Sequence, residues 1–89
     1  MKKLVNVQEV EGEGLVSLLG EKVVITCLRY IYCGKLVGVN DTCIALENAE
    51  VVYITGKWDA KKWEQSEALP HKNWYIQANS IENFGLSNK

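Results

Sequence analysis

The run from Lys22 to Val39 constrains the fold of this chain more than any other segment. It reads Lys-Val-Val-Ile-Thr-Cys-Leu-Arg-Tyr-Ile-Tyr-Cys-Gly-Lys-Leu-Val-Gly-Val. β-Branched and aromatic side chains are restricted in a helix and pack well on a pleated surface, so the run predicts strand. Lys22–Tyr32 has few polar interruptions, which predicts a first strand covered on both faces. Cys33–Val39 continues as a second strand. Gly34 and Gly38 lie four residues apart, on one side of the pleat, where missing side chains let a strand bend sharply.

The flanking sequence supplies the remaining elements. Leu15, Leu18 and Leu19 share one helical face and Gly20 provides a stop, predicting a short helix over Gly14–Leu19. Asn40-Asp41 has turn chemistry, because both side chains can bond their own backbone. Thr42–Leu46 then reads as a third strand. Glu47–Glu50 interrupts the pattern and Val51–Ile54 resumes it, so a bulge near Asn48 would let one long strand serve two parts of a barrel. Thr55–Lys72 is the longest polar stretch and contains the only proline, Pro70. It reads as an insertion between strands three and four, holding either a short helix from Asp59 to Leu69 or an extended hairpin. Trp74–Gln77 forms a fourth strand, Ala78–Ser80 a tight turn and Ile81–Phe84 the last strand. The expectation is a single mostly β domain over residues 1–89: a short N-terminal helix, then a five-stranded, strongly bent antiparallel barrel whose closure removes open edges.

Composition narrows the functional classes. A chain of 89 residues and about 10 kDa buries only roughly 60–65% of the surface its unfolded form exposes, so self-association is expected. Lys and Arg total 10 against 11 Asp and Glu, which leaves no general positive field for a phosphate backbone. Glu9, Glu11 and Glu13 alternate as a solvated segment does. No apolar run is long enough to span a bilayer, and Met1–Asn6 turns polar too soon for a signal peptide, so a cytoplasmic protein with no membrane partner is expected. Cys27, Cys33 and Cys43 are odd in number and lack a Cys-x-x-Cys pair, which predicts free core thiols. His71, the one histidine, follows Pro70 in a polar loop and has no companion ligands, so neither metal nor other cofactor is implied. Without a phosphate-binding glycine loop or a nucleophile elbow, an enzyme is the least supported class.

Several short patterns then coincide. Gly34-Lys35-Leu36-Val37-Gly38-Val39-Asn40 follows Gly-x-Leu-x-Gly-x-Asp, with Asn40 at the acidic position. Leu46 and Ala49 match the apolar and small positions beyond it, and Ile76-Gln77-Ala78-Asn79-Ser80-Ile81 echoes Ile-Arg-Gly-x-x-Ile at both isoleucines. Together with the passage Leu18-Leu19-Gly20-Glu21-Lys22-Val23-Val24-Ile25, these residues resemble the Sm/LSm family over Leu15–Phe84. The resemblance implies an Sm-like (SH3-like) barrel and a homo-oligomeric ring of about five to seven copies, since a head-to-tail contact repeats until it closes.

By the same resemblance, single-stranded RNA would bind at the pore through Asn40, Asp41 and Thr42 from one loop and Gln77 and Asn79 from another. The chain departs from the family there. The first loop carries no aromatic, and Gln77-Ala78 replaces Arg-Gly, so stacking and the planar charged fork are both lost and RNA binding would be weak. The alternative is a ring-shaped protein scaffold that binds no nucleic acid. For that reading Trp58 and Trp63, interleaved with Lys57, Lys61 and Lys62, are the candidate partner-binding residues, because Trp is enriched at binding hot spots.

Overall fold

In the computed structural model, which describes residues 14–89, six strands form: β1 (Lys22–Cys27), β2 (Ile31–Val39), β3 (Cys43–Ile54), β4 (Gln65–Ala68), β5 (Asn73–Gln77) and β6 (Ile81–Leu86). Every pairing is antiparallel, in the order β4-β3-β2-β1-β6, with β5 also on β3. β5 takes Cys43–Glu47 of β3 and β4 takes Glu50–Ile54, so the two lie end to end as one interrupted strand. Pro70 sits in the excursion between them, where no ladder donor is needed. Leu69 N–H donates to Ala49 C=O at 2.9 Å on one side of that excursion, and Asn48 N–H to Lys72 C=O at 2.8 Å on the other.

The ladder registers show where the sheet bends. Cys33 and Lys35 face Glu50 and Glu47, which leaves β3 one residue longer than β2 at Asn48-Ala49. Asn48 takes φ 53° there, a left-handed conformation that asparagine tolerates better than most residues. Leu36 and Gly38 face Leu46 and Ala45, so β2 gains its own extra residue at Val37. β3 is thus one strand of 12 residues with a bulge at its middle. Gly34 lies against that bulge: a Cβ on it would sit 3.0 Å from Ala49 Cα and 3.2 Å from Glu47 O, whereas one on Gly38 would meet Ala45 Cβ at 3.4 Å. We therefore expect Gly34→Ala to lower stability by about 1–3 kcal/mol, the usual cost of overpacking. Gly38→Ala should cost clearly less, as read from urea unfolding midpoints.

The path from β5 to β6 makes the sheet curl. In a flat sheet the two would lie four strand spacings apart, roughly 19 Å. Only the 3₁₀ turn Ala78–Ser80 links them, and from Gln77 to Ile81 the chain reaches at most about 14 Å. No ladder joins β5 to β6 among the described residues. The expected closed barrel is therefore a curled sheet, open along this seam, because the turn carries the chain across from one edge to the other instead of folding it back as a hairpin.

Three local expectations change as well. The helix over Gly14–Leu19 is a single 3₁₀ turn, Leu15–Leu18. Gly14 at φ 80° and Gly20 at φ 88° bracket it, and so short a segment cannot repay α-helix nucleation. The sheet has six strands rather than five, since Gln65–Ala68, within the expected insertion, pairs with β3; the looped part is residues 55–64, with no helix after Asp59. The first strand ends at Cys27, where Cys27 N–H donates to Tyr30 C=O at 2.9 Å and closes the turn Leu28–Tyr30. Glu9, Glu11 and Glu13 lie outside the described residues. Among the described residues no helix is long and apolar enough to cross a membrane.

Two apolar layers flank the sheet. On the inner face Val23, Ile25, Leu36, Ile44, Leu46, Ala49 and Ile76 form the main core, with Leu15, Leu18, Cys27 and Trp74 packed on it. On the opposite face Val24, Cys33 and Val52 form a second cluster under Trp63. The uninterrupted Val23-Val24-Ile25 run is thus buried on both sides, and residues 55–64 act as the cover its outer side needs.

Candidate functional site

Asn40 closes β2 and builds the turn into β3. Its Oδ1 accepts from Thr42 N–H at 2.8 Å, Thr42 Oγ1–H at 3.0 Å and Cys43 N–H at 2.9 Å. The turn needs a short side chain carrying an sp² oxygen, which Asn and Asp both supply. This accounts for Asn40 at a position where the motif it resembles has Asp. Asn40→Ala is expected to cost about 1 kcal/mol and Asn40→Asp close to nothing, measured by chemical denaturation.

The second loop lies beside the first. Cys43 faces Gln77 in the β3–β5 ladder, Ala78 N–H donates to Thr42 C=O at 2.8 Å, and Ser80 Oγ–H donates to Gln77 C=O at 2.8 Å. Asn40, Asp41, Thr42, Gln77 and Asn79 are all exposed, at one end of β3. The arrangement offers neutral amides, one hydroxyl and one carboxylate. Residues 40–43 and 77–80 contain no Lys, Arg or aromatic, so the cluster can exchange hydrogen bonds with base edges but has neither a stacking platform nor a cation for phosphate.

Trp58 and Trp63 divide into different roles. Trp63 is only 8% exposed, packed over Val24, Cys33 and Val52, because the apolar outer face of β1–β3 draws it in. Its Nε1 is buried without a hydrogen-bond partner. Trp58 is 56% exposed and meets Trp63 edge to face, with centroids 5.4 Å apart and planes at 86°.

Three features escaped the sequence reading. Lys89 Nζ lies 4.6 Å from the Trp63 ring centroid and 5.8 Å from that of Trp58; nothing in the sequence links a lysine so distant to these rings. Tyr30, Tyr32 and Tyr53 form a ladder of edge contacts at 6.4 and 6.3 Å, for which the i, i+2 spacing of Tyr30 and Tyr32 was an available signal. The Tyr53 hydroxyl donates to Glu67 Oε1 at 2.9 Å, and that bond pushes the phenol above its ordinary pKa.

The third feature is the open seam itself. Thr42–Leu46 lies inside the sheet between β2 and β5; among the described residues the free margins are β4 and β5 on one side and β6 on the other. Leu86 and Phe84 pair with Val23 and Ile25, so their side chains share the face of the main core. Yet Phe84 is 41% and Leu86 63% exposed, and Tyr75 on β5 is 65% exposed. The core row is unfinished along β6.

The cysteines are free thiols, Cys33 buried and Cys27 and Cys43 half-buried. Burial pushes the Cys27 thiol up, against a lowering hydrogen bond with Ser80, so at neutral pH it is protonated and a poor nucleophile. His71 is exposed in the loop before β5. No cluster of metal-ligating side chains occurs among the described residues.

No protein-family model matches the sequence, and no curated protein matches it. Among solved structures, a chain in the crystal structure of the NatC complex bound to CoA is similar, with a TM-score of 0.58 and 13% identity, covering 93% of this chain and 90% of that one. That likeness is one of fold, extending over most of both chains, and no family assignment follows from it.

Proposed function

We propose that this chain is an Sm-like subunit that assembles into a homo-oligomeric ring and serves as a scaffold, with β5 of one copy adding to β6 of the next. The observation that carries this reading is the pair of unpaired margins flanking an unfinished core row at Phe84 and Leu86. A strand placed beside β6 would satisfy its outward N–H and C=O groups and cover both side chains at once. The contact joins two different surfaces, so it propagates head to tail until rotation closes it, and closure of the barrel wall is completed between copies instead of within one. The Sm/LSm resemblance of Leu15–Phe84 gives the ring size, about five to seven copies. The likeness to a chain of the NatC complex supports the weaker statement that a sheet of this form can serve as one part of a multichain assembly.

Amide hydrogen exchange tests the pairing residue by residue. In concentrated protein the outward amides of β5 and β6 should exchange slowly, and dilution should speed them while the β1–β2–β3 ladders stay protected. Equal and rapid exchange of both margins at every concentration would remove the reading.

A second reading, weak binding of single-stranded RNA at the pore, is favoured by one observation: the Ala78–Thr42 hydrogen bond sets Asn40, Asp41, Thr42, Gln77 and Asn79 side by side. Repeated once per copy, weak sites gain by effective concentration. A fluorescence-polarisation titration with oligo-U and oligo-A at low salt distinguishes the two. Binding that is lost in Gln77→Ala supports an RNA ring, and no binding to either leaves the scaffold.

A further inference from the structure

We propose that the Trp58–Trp63 corner is a recognition site for a quaternary ammonium group, and that Lys89 occupies it in cis. The two indoles stand nearly perpendicular, 86° between planes, and present faces to one point in space. Lys89 Nζ sits at that point, 4.6 Å from one centroid and 5.8 Å from the other. Indole has the strongest attraction of the aromatic side chains for a cation within about 6 Å. Two indoles meeting at one ammonium make a partial cage.

The walls differ in a way that suits binding. Trp63 is pinned over Val24, Cys33 and Val52, so its orientation costs nothing to hold when a ligand arrives. Trp58 is largely exposed, so the corner is reached from solvent on its side. The occupant is delivered by a short strap. Ser87 N–H donates to Lys22 C=O at 2.9 Å, Lys22 Nζ donates to the Lys89 carbonyl at 2.7 Å, and Asn88 Nδ2 donates to Trp58 C=O at 3.2 Å. Lys89 Nζ also donates to Trp58 C=O and, at 3.2 Å, to Asn88 Oδ1. All of these bonds except the one from Ser87 hold exposed groups, so the strap is one that a competing cation can displace.

The chemistry selects the methylated form. A primary ammonium is strongly hydrated and reaches the rings only by giving up water, which the carbonyl and amide oxygens partly replace. A quaternary ammonium has no N–H to satisfy, carries a weaker hydration shell, and lays its methyl groups on both indoles. Its sources are a trimethylated lysine side chain and a free choline-type cation. Either must compete with a tethered lysine whose effective concentration is on the order of millimolar, so the occupied corner binds weakly and the vacated one more tightly.

The test uses the full chain, labelled with ¹⁵N, and follows the indole N–H resonances of Trp58, Trp63 and Trp74. Tetramethylammonium chloride is titrated against potassium chloride of equal ionic strength into the wild-type protein, Lys89→Ala and Trp58→Ala. The expected result is a saturable shift of the Trp58 and Trp63 signals with Trp74 unmoved, at about threefold or more lower concentration in Lys89→Ala than in wild type. In Trp58→Ala the Trp63 shift should vanish while the Trp74 signal stays in place, which shows the fold intact. Choline and a short trimethyl-lysine peptide are then compared: tighter binding of the peptide assigns the site to a methylated polypeptide, and equal binding to the free head group. The absence of any saturable shift in Lys89→Ala, or the same shift in Trp58→Ala, would overturn the proposal.

Discussion

Replacing Tyr75 and Leu86 together with glutamate is expected to leave a folded single subunit of 10.0 kDa in place of the proposed ring. One substitution falls on each of the two margins proposed to meet, β5 and β6. Both side chains are about two-thirds exposed in the isolated subunit, at 65% and 63%, so the fold itself should change by no more than about 0.5 kcal/mol. At the contact between copies the same positions lie beside unpaired backbone, and a charge placed there has to be desolvated without a partner. Natural edge strands use such charges to prevent pairing. Light scattering during gel filtration gives the mass, and circular dichroism shows whether the sheet persists. A double variant that keeps the wild-type multimeric mass would place the contact elsewhere on the surface.

The largest effect on stability is expected from Leu36→Ala. Leu36 is fully buried at the middle of the main core, next to the bulge at Val37. Truncating a buried leucine costs about 2–5 kcal/mol, since lost transfer energy adds to the cavity left behind. A domain of this length holds only about 4–13 kcal/mol in total, so the substitution removes a large share of it. Its neighbour Val37 points to the other face and is exposed, so Val37→Ala should fall within about 0.5 kcal/mol of the parent. Both are best compared by urea unfolding in the Tyr75→Glu, Leu86→Glu background, where assembly adds nothing to the apparent stability. Similar midpoints for the two variants would contradict the assignment of faces along β2.

The strands were legible wherever period and turn chemistry agreed. Trp74–Gln77, the turn at Ala78–Ser80 and the corner near Asn48 could be placed because β-branched runs were bounded by Asn, Ser or Gly. The turn at Leu28–Tyr30 could not, since Leu, Arg and Tyr carry no turn signal and only the long-range ladders decide where β1 stops. β4 was only half legible, as the extended-hairpin alternative for Thr55–Lys72: Gln65–Ala68 is mostly polar and exposed at every position, a strand held by the apolar second half of β3 and not by its own sequence. Glycines at both ends of Leu15–Leu18 outweighed its helical spacing. Of the candidate sites, the loop cluster was legible because its residues are local in sequence and the ladder from Cys43 to Gln77 joins them. The burial of Trp63 and the approach of Lys89 to it depend on which face of the sheet lacked a cover, and that is a property of the assembled fold.

Native mass spectrometry of the intact protein at micromolar concentration tests the assembly most directly. We expect one closed species at an integral multiple of the subunit mass, about five to seven copies, with no ladder of intermediate sizes because each added copy leaves the same margins open until the last contact closes. A spectrum containing single subunits alone would contradict it.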